Sequence, residues 1–241
     1  MPIIVGIDGT GGGSIYNSAA RNAEYDRAFA NSFVRRIALG KTHSKYLRGP
    51  IGPGGGMPEA IYEGLGFIQT KRQQLPNEPI LLTGYSRGAL GVVVIAARLQ
   101  QQNIKVKALM MFDCVDRHAA FDAEVVPANV ENVCHVIRHP AARSRMTFGN
   151  DAMRYIPPTN YLPIKRYMCT HGGMGGCPWE VPPGGSESDF VDEGAGEAWF
   201  SPVRTGPVWE YHTNVTYAQD KAVSKEVWND VYGFLTQYGF M

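Results

Sequence analysis

Three residue types that together can break an ester stand in order along this chain. A serine lies between two glycines, an aspartate closes an apolar run, and a histidine opens a glycine-rich stretch. The serine is Ser86 in Gly84-Tyr85-Ser86-Arg87-Gly88, after the apolar PILLTGY and before the long apolar ALGVVVIAARL. This is G-x-S-x-G in the context it needs, strand before and helix after. Glycines on both sides keep side chains off the neighbouring strand and helix while the serine takes a strained conformation. The helix N-terminus behind it favours developing negative charge. The bland alternative is a serine N-cap with incidental glycines, and a bare G-x-S-x-G is common by chance.

A lone serine is a poor nucleophile and needs a base, with an acid to orient that base. In elbow enzymes the order is Ser, then Asp or Glu, then His. Asp113 ends the run VKALMMFD and is the expected acid; Asp116 and Asp151 lie further along. Of His118, His135, His139, His171 and His212, the expected base is His171, which begins HGGMGG, with His212 as the fallback. His135 lies inside a strand pattern, where its ring points sideways. The glycines after His171 are expected to make a flexible loop that swings the imidazole over the serine. An oxyanion hole needs backbone N–H donors, one from Arg87 and a second from Gly9 or Thr10 in the glycine-rich loop Asp8 to Gly13.

Those residues have to be carried by elements that bring them to one place. Residues 3 to 8, 79 to 85, 106 to 113, 131 to 138 and 164 to 171 read as buried strands. Residues 18 to 38, 58 to 75, 87 to 102 and 217 to 237 read as helices, Pro58 being a first-turn residue. Strands alternating with helices imply one α/β domain over 1–241, a mostly parallel sheet with helices on both faces. Ligand sites in such sheets lie at the carboxyl ends of the strands. Asp8, Ser86, Asp113 and His171 all fall there. Residues 178–216 are expected to form a long loop covering the site, carrying Phe190, Trp199, Phe200 and Trp209.

Composition removes several classes. A net charge of +1 does not suit nucleic acid or an anionic bilayer. No apolar run approaches the ~18 residues of a membrane span. The opening MPIIVGIDGTGGG has no basic, apolar leader, so synthesis in the cytoplasm is expected. Cys114, Cys134, Cys169 and Cys177 show no C-x-x-C, so no zinc site is expected, and the hydrolase chemistry calls for no cofactor. Cys169 and Cys177 flank the glycine loop, where a disulfide would suit an oxidising compartment.

Together the motifs resemble an α/β-hydrolase family of largely uncharacterised domains that includes type VI secretion phospholipase effectors. Its FDGT, GFSRGA, WDTV and HSDVGGG read here as IDGT (7–10), GYSRGA (84–89), FDCV (112–115) and HGGMGG (171–176). The resemblance implies Ser86 as nucleophile, Asp113 as acid and His171 as base. It also implies a lipid or other ester as substrate with peripheral membrane contact, secretion by a type VI system, and an immunity protein as partner. Gly173 stands where the family has an aspartate, and no membrane-docking insertion is evident. A non-lipid esterase is the alternative. Two rivals use the N-terminal loop: a phosphate-binding GIDGTGGG, which requires a β-hairpin after it, and a haloacid-type phosphatase, whose nucleophilic aspartate is replaced by Gly6.

Overall fold

A computed structural model describes residues 1–11, 19–51, 55–118, 120–196 and 209–241. In chain order the elements are β1 (Ile3–Ile7), α1 (Ala19–Ala28), α2 (Phe33–Ala38), β2 (Ser44–Leu47), α3 (Met57–Gln74), β3 (Ile80–Tyr85), α4 (Arg87–Gln101) and β4 (Val106–Phe112). There follow β5 (Val125–Val126), β6 (Val130–Arg138), β7 (Arg154–Tyr155), β8 (Asn160–Tyr161), β9 (Lys165–Tyr167), α5 (His171–Met174), β10 (Phe190–Gly196), β11 (Trp209–Thr216) and α6 (Tyr217–Gln237).

The molecule is a mixed α/β fold around a parallel sheet ordered β2-β1-β3-β4-β6-β8, with β9 also pairing with β6. Successive residues of a strand face opposite sides, and both sides are buried. Ile3, Val5 and Ile7 of β1 pack with Ile61 of α3 and Leu90 and Ile95 of α4. Ile4 points the other way, into a core with Phe33 and Ile37 of α2 and Val227 and Val231 of α6. That is why these strands read as unbroken apolar runs.

Four elements depart from expectation, the first being the buried strand expected over 164 to 171: only Lys165–Tyr167 pairs, two of its three residues are exposed, and His171 opens a helix. The helix over 18–38 is two helices, because Ser32 accepts a hydrogen bond from the Arg35 N–H at 3.1 Å and caps a fresh start. β2, with the half-polar sequence SKYL, is an edge strand whose pairing with β1 comes from the tertiary fold. The expected loop 178–216 contains an antiparallel hairpin, β10 with β11. Phe190 is exposed on it, whereas Trp199 and Phe200 lie outside the described residues.

Candidate active site

β3 hands the chain to α4 through Ser86, held at φ 55° and ψ −128°. A non-glycine residue there is strained and persists only where its surroundings enforce it. They do: the Ser86 N–H donates to the Phe112 carbonyl at 3.0 Å, and the Ser86 carbonyl accepts from Val115 at 3.2 Å and Ala89 at 3.1 Å. Both flanking glycines are sterically required. A Cβ on Gly84 would lie 2.6 Å from the Ala89 nitrogen, and one on Gly88 would overlap the carbonyl oxygens of Ile7 and Asp8.

At the same edge, Asp113 follows β4 at φ 47°, its N–H bonded to Val136 at 2.8 Å. His171 opens α5. Its Nδ1 lies 2.6 Å from Asp113 Oδ2 and its Nε2 2.9 Å from Ser86 Oγ. Serine, histidine and aspartate, spread over 85 residues of chain, thus meet in hydrogen-bonding line. With the Asp113 carboxylate ionised, Nδ1 carries a proton and Nε2 is free to accept one from the serine.

Asp113 is fully buried and has further partners. Burial alone would raise its pKa, but Arg138, with the bond to His171, holds it well below the ordinary carboxylate range. Arg138 Nη1 meets Oδ2 at 2.5 Å and Asn150 Nδ2 meets Oδ1 at 2.7 Å. The Arg138 guanidinium is itself fixed by the carbonyls of Ser144, Arg145 and Gly149. His171 is pushed below the usual imidazole value, first by burial and also by the Arg138 charge, against the pull of Asp113.

The glycines after His171 do not make a swinging loop. His171 is buried and starts a capped turn, Thr170 accepting from the Gly173 N–H at 3.0 Å. A Cβ on Gly175 would lie 2.6 Å from the Tyr85 ring, and one on Gly172 would lie 2.7 Å from the Cys177 carbonyl oxygen. These glycines allow close approach, and the imidazole is locked. Tyr85 OH donates to the His171 carbonyl at 2.9 Å. The His171 N–H donates to Ser144 Oγ at 2.7 Å, which donates in turn to the buried Glu193 of β10 at 2.9 Å. Phe148 sets its ring edgewise to the imidazole, centroids 5.1 Å apart.

Of the oxyanion candidates, the Arg87 N–H is in the first turn of α4, where no acceptor exists within the helix. Gly9 is excluded, because its N–H donates to its neighbour Asp8 Oδ1 at 2.9 Å. Thr10 remains for the second position. Asp8 does not join the serine. Its carboxylate is buried against Ser32 and Tyr46, and burial pushes its pKa up to about 6.

The other sequence candidates fall elsewhere. His212 is exposed on β11 beside Asp192. His139 caps a short turn. His118 accepts from the Ala120 N–H. Asp116 accepts from the Ala123 N–H at 2.7 Å, and Asp151 from the Asp116 N–H at 2.6 Å. All four cysteines are free. Cys169 donates its thiol proton to Asp220 at 3.1 Å, so no bridge restrains the turn. Among the described residues, no cluster could hold a metal and no helix is long and apolar enough to cross a membrane.

Sequence patterning does not point to Arg138, Asn150, Ser144 or Tyr85 as parts of the site. Arg138 carried one signal, a charged residue ending an apolar strand at the edge where the site lies.

Comparison with known proteins assigns no family. No family model matches the chain, and no curated protein matches it. A solved structure of ESTFA in an iron-lacking apo form is similar over 72% of this chain and 69% of its own, at 11% identity and a TM-score of 0.37. A likeness that distant carries no argument about chemistry.

Proposed function

We propose that the chain is a serine hydrolase of carboxylic esters, on an α/β-hydrolase-like fold, working through an acyl-enzyme at Ser86. The observation that carries the reading is the strained Ser86 at a strand–helix junction, 2.9 Å from an imidazole that is 2.6 Å from a buried carboxylate. His171 Nε2 takes the Ser86 proton as Oγ attacks the acyl carbon. The N–H groups of Arg87 and Thr10 receive the oxyanion. Collapse expels the alcohol, which takes its proton from His171, and water repeats the sequence to release the acid. Asp113 stays ionised throughout and stabilises the imidazolium. The GYSRGA resemblance makes phospholipids and other lipid esters the first natural substrates to try, with a type VI effector as the setting. The nucleotide-binding alternative is disfavoured because β2, the next strand, follows α1 and α2 and pairs with β1 in parallel, where that reading requires a hairpin.

The test is a fluorophosphonate probe with turnover of 4-nitrophenyl esters and phospholipids. Labelling should fall on Ser86, and Ser86→Ala and His171→Ala should each lose about three orders of magnitude or more in kcat. His212→Ala should match the wild type. A Ser86→Ala protein that keeps its turnover, or a dead His212→Ala, overturns the assignment.

A further inference from the structure

Next to the proposed nucleophile stands a positive charge that no carboxylate among the described residues answers. The Arg87 guanidinium is half-buried, and among the described residues its one partner is Thr10, whose Oγ1 accepts from Nε at 2.7 Å. Nε is thereby pinned to the loop facing the elbow, and the terminal nitrogens are left over. Among the described residues, no carboxylate acts on Arg87. Burial weakens its hold on its proton, and the charge that adds to this effect is another arginine, Arg117. Arg117 lies over the Phe148 ring, 5.0 Å from its centroid, and Phe148 meets the His171 ring edgewise. Two cations therefore lie near the Ser86–His171 pair: Arg87, held by Thr10, and Arg117, held by the Thr147 carbonyl and the Phe148 ring and interacting with the Asp151 carboxylate. A third, Arg145, is answered by Glu193.

Arg87 is half-buried while Arg117 is exposed, so water screens the repulsion between them only in part. An anionic oxygen group answers it fully, and the guanidinium fork matches a carboxylate or a phosphate. We infer that the substrate is an ester carrying an anionic oxygen group near its scissile carbonyl, received by the terminal nitrogens of Arg87 with Arg117 beside it. This rests on the hydrolase reading above and adds the substrate's charge. The chemistry of the reacting bond is unchanged: the ester C–O bond breaks, the acyl group moves to Ser86 Oγ, and the anion stays intact.

The experiment compares the 4-nitrophenyl monoester of glutaric acid with the same ester capped by a methyl group, which removes the charge. The wild type should prefer the charged ester about tenfold or more in kcat/KM, the size expected for a charge-assisted contact. The preference should shrink with added salt. Arg87→Gln should abolish the preference, Arg87→Lys should keep part of it, and Arg117→Gln should reduce it. Inorganic phosphate and free glutarate should both slow fluorophosphonate labelling of Ser86 in the wild type and not in Arg87→Gln. The stronger competitor says whether the anion is a phosphoryl or a carboxyl group. Equal rates on the two esters, or a preference that survives in Arg87→Gln, overturn the inference while leaving the hydrolase standing. If neither ester turns over but Ser86 still labels, protection by phosphate or glutarate decides, and its absence in the wild type counts against the anion site. If Ser86 does not label at all, the hydrolase reading falls and this inference with it.

Discussion

Replacing Arg138 by glutamine should move the acid limb of the pH–rate profile upward. Arg138 Nη1 and His171 Nδ1 both meet Asp113 Oδ2, at 2.5 Å and 2.6 Å. Two positive groups sharing one oxygen sit roughly 5 Å apart, and at an effective dielectric of about 20 they repel by about 3 kcal/mol, or about two pH units. The sign follows directly. Arg138 disfavours the imidazolium, so it contributes to holding His171 below its usual value. The acid limb of the wild-type kcat/KM on a neutral 4-nitrophenyl ester should therefore lie below the range of an ordinary imidazole. Without Arg138 the imidazolium is better tolerated, and the limb should rise by about one to two units after local relaxation. Arg138→Lys keeps the charge and should hold the limb near its original position. The glutamine variant should also melt earlier. It strips a buried carboxylate of its cation, a loss of about 3–5 kcal/mol, and it frees three carbonyls that Arg138 now binds. The profile separates the two roles. If the limb of Arg138→Gln coincides with the wild type while only the melting temperature falls, Arg138 is a brace and the electrostatic reasoning fails.

Two further outcomes follow from the packing. Gly88→Ala should destabilise the protein by several kcal/mol or prevent folding, because its Cβ overlaps the backbone of β1; an alanine variant melting within a degree or two of the wild type would contradict this. His135 should make the protein acid-sensitive. Its Nε2 accepts from the Cys114 N–H at 3.1 Å, and its Nδ1 donates to Tyr161, which donates to Ala152. The ring is thus held neutral, and burial pushes its pKa down to about 4. The unfolded chain binds this proton and the folded one resists it, so stability is lost as pH falls from about 6.5 toward 4, by about 2–3 kcal/mol. Urea unfolding across that window should show the loss, and His135→Gln should flatten it.

What the sequence determined by itself is local. Apolar runs ended by Asp113, or by Gly84-Tyr85-Ser86, fold as strands whatever their neighbours, because both faces of a parallel sheet are buried. Gly84 and Gly88 were legible because the elbow's steric demand falls on residues within two positions of Ser86. The tertiary structure alone decided which charges meet. Arg138 is 25 residues from Asp113 and reaches it only because β6 lies beside β4 in a register set by the whole sheet. The same holds for SKYL, which has little strand character until β1 offers it an edge. It holds also for Asp8, which shares the sheet edge with Ser86 but turns to Ser32 and Tyr46. The run after His171 shows the limit most plainly. Glycine serves equally for freedom of the backbone and for close approach to a neighbour, and sequence cannot tell these apart. Only the position of the Tyr85 ring, in close contact with both Gly175 and Gly9, shows that here glycine permits contact and holds the imidazole still.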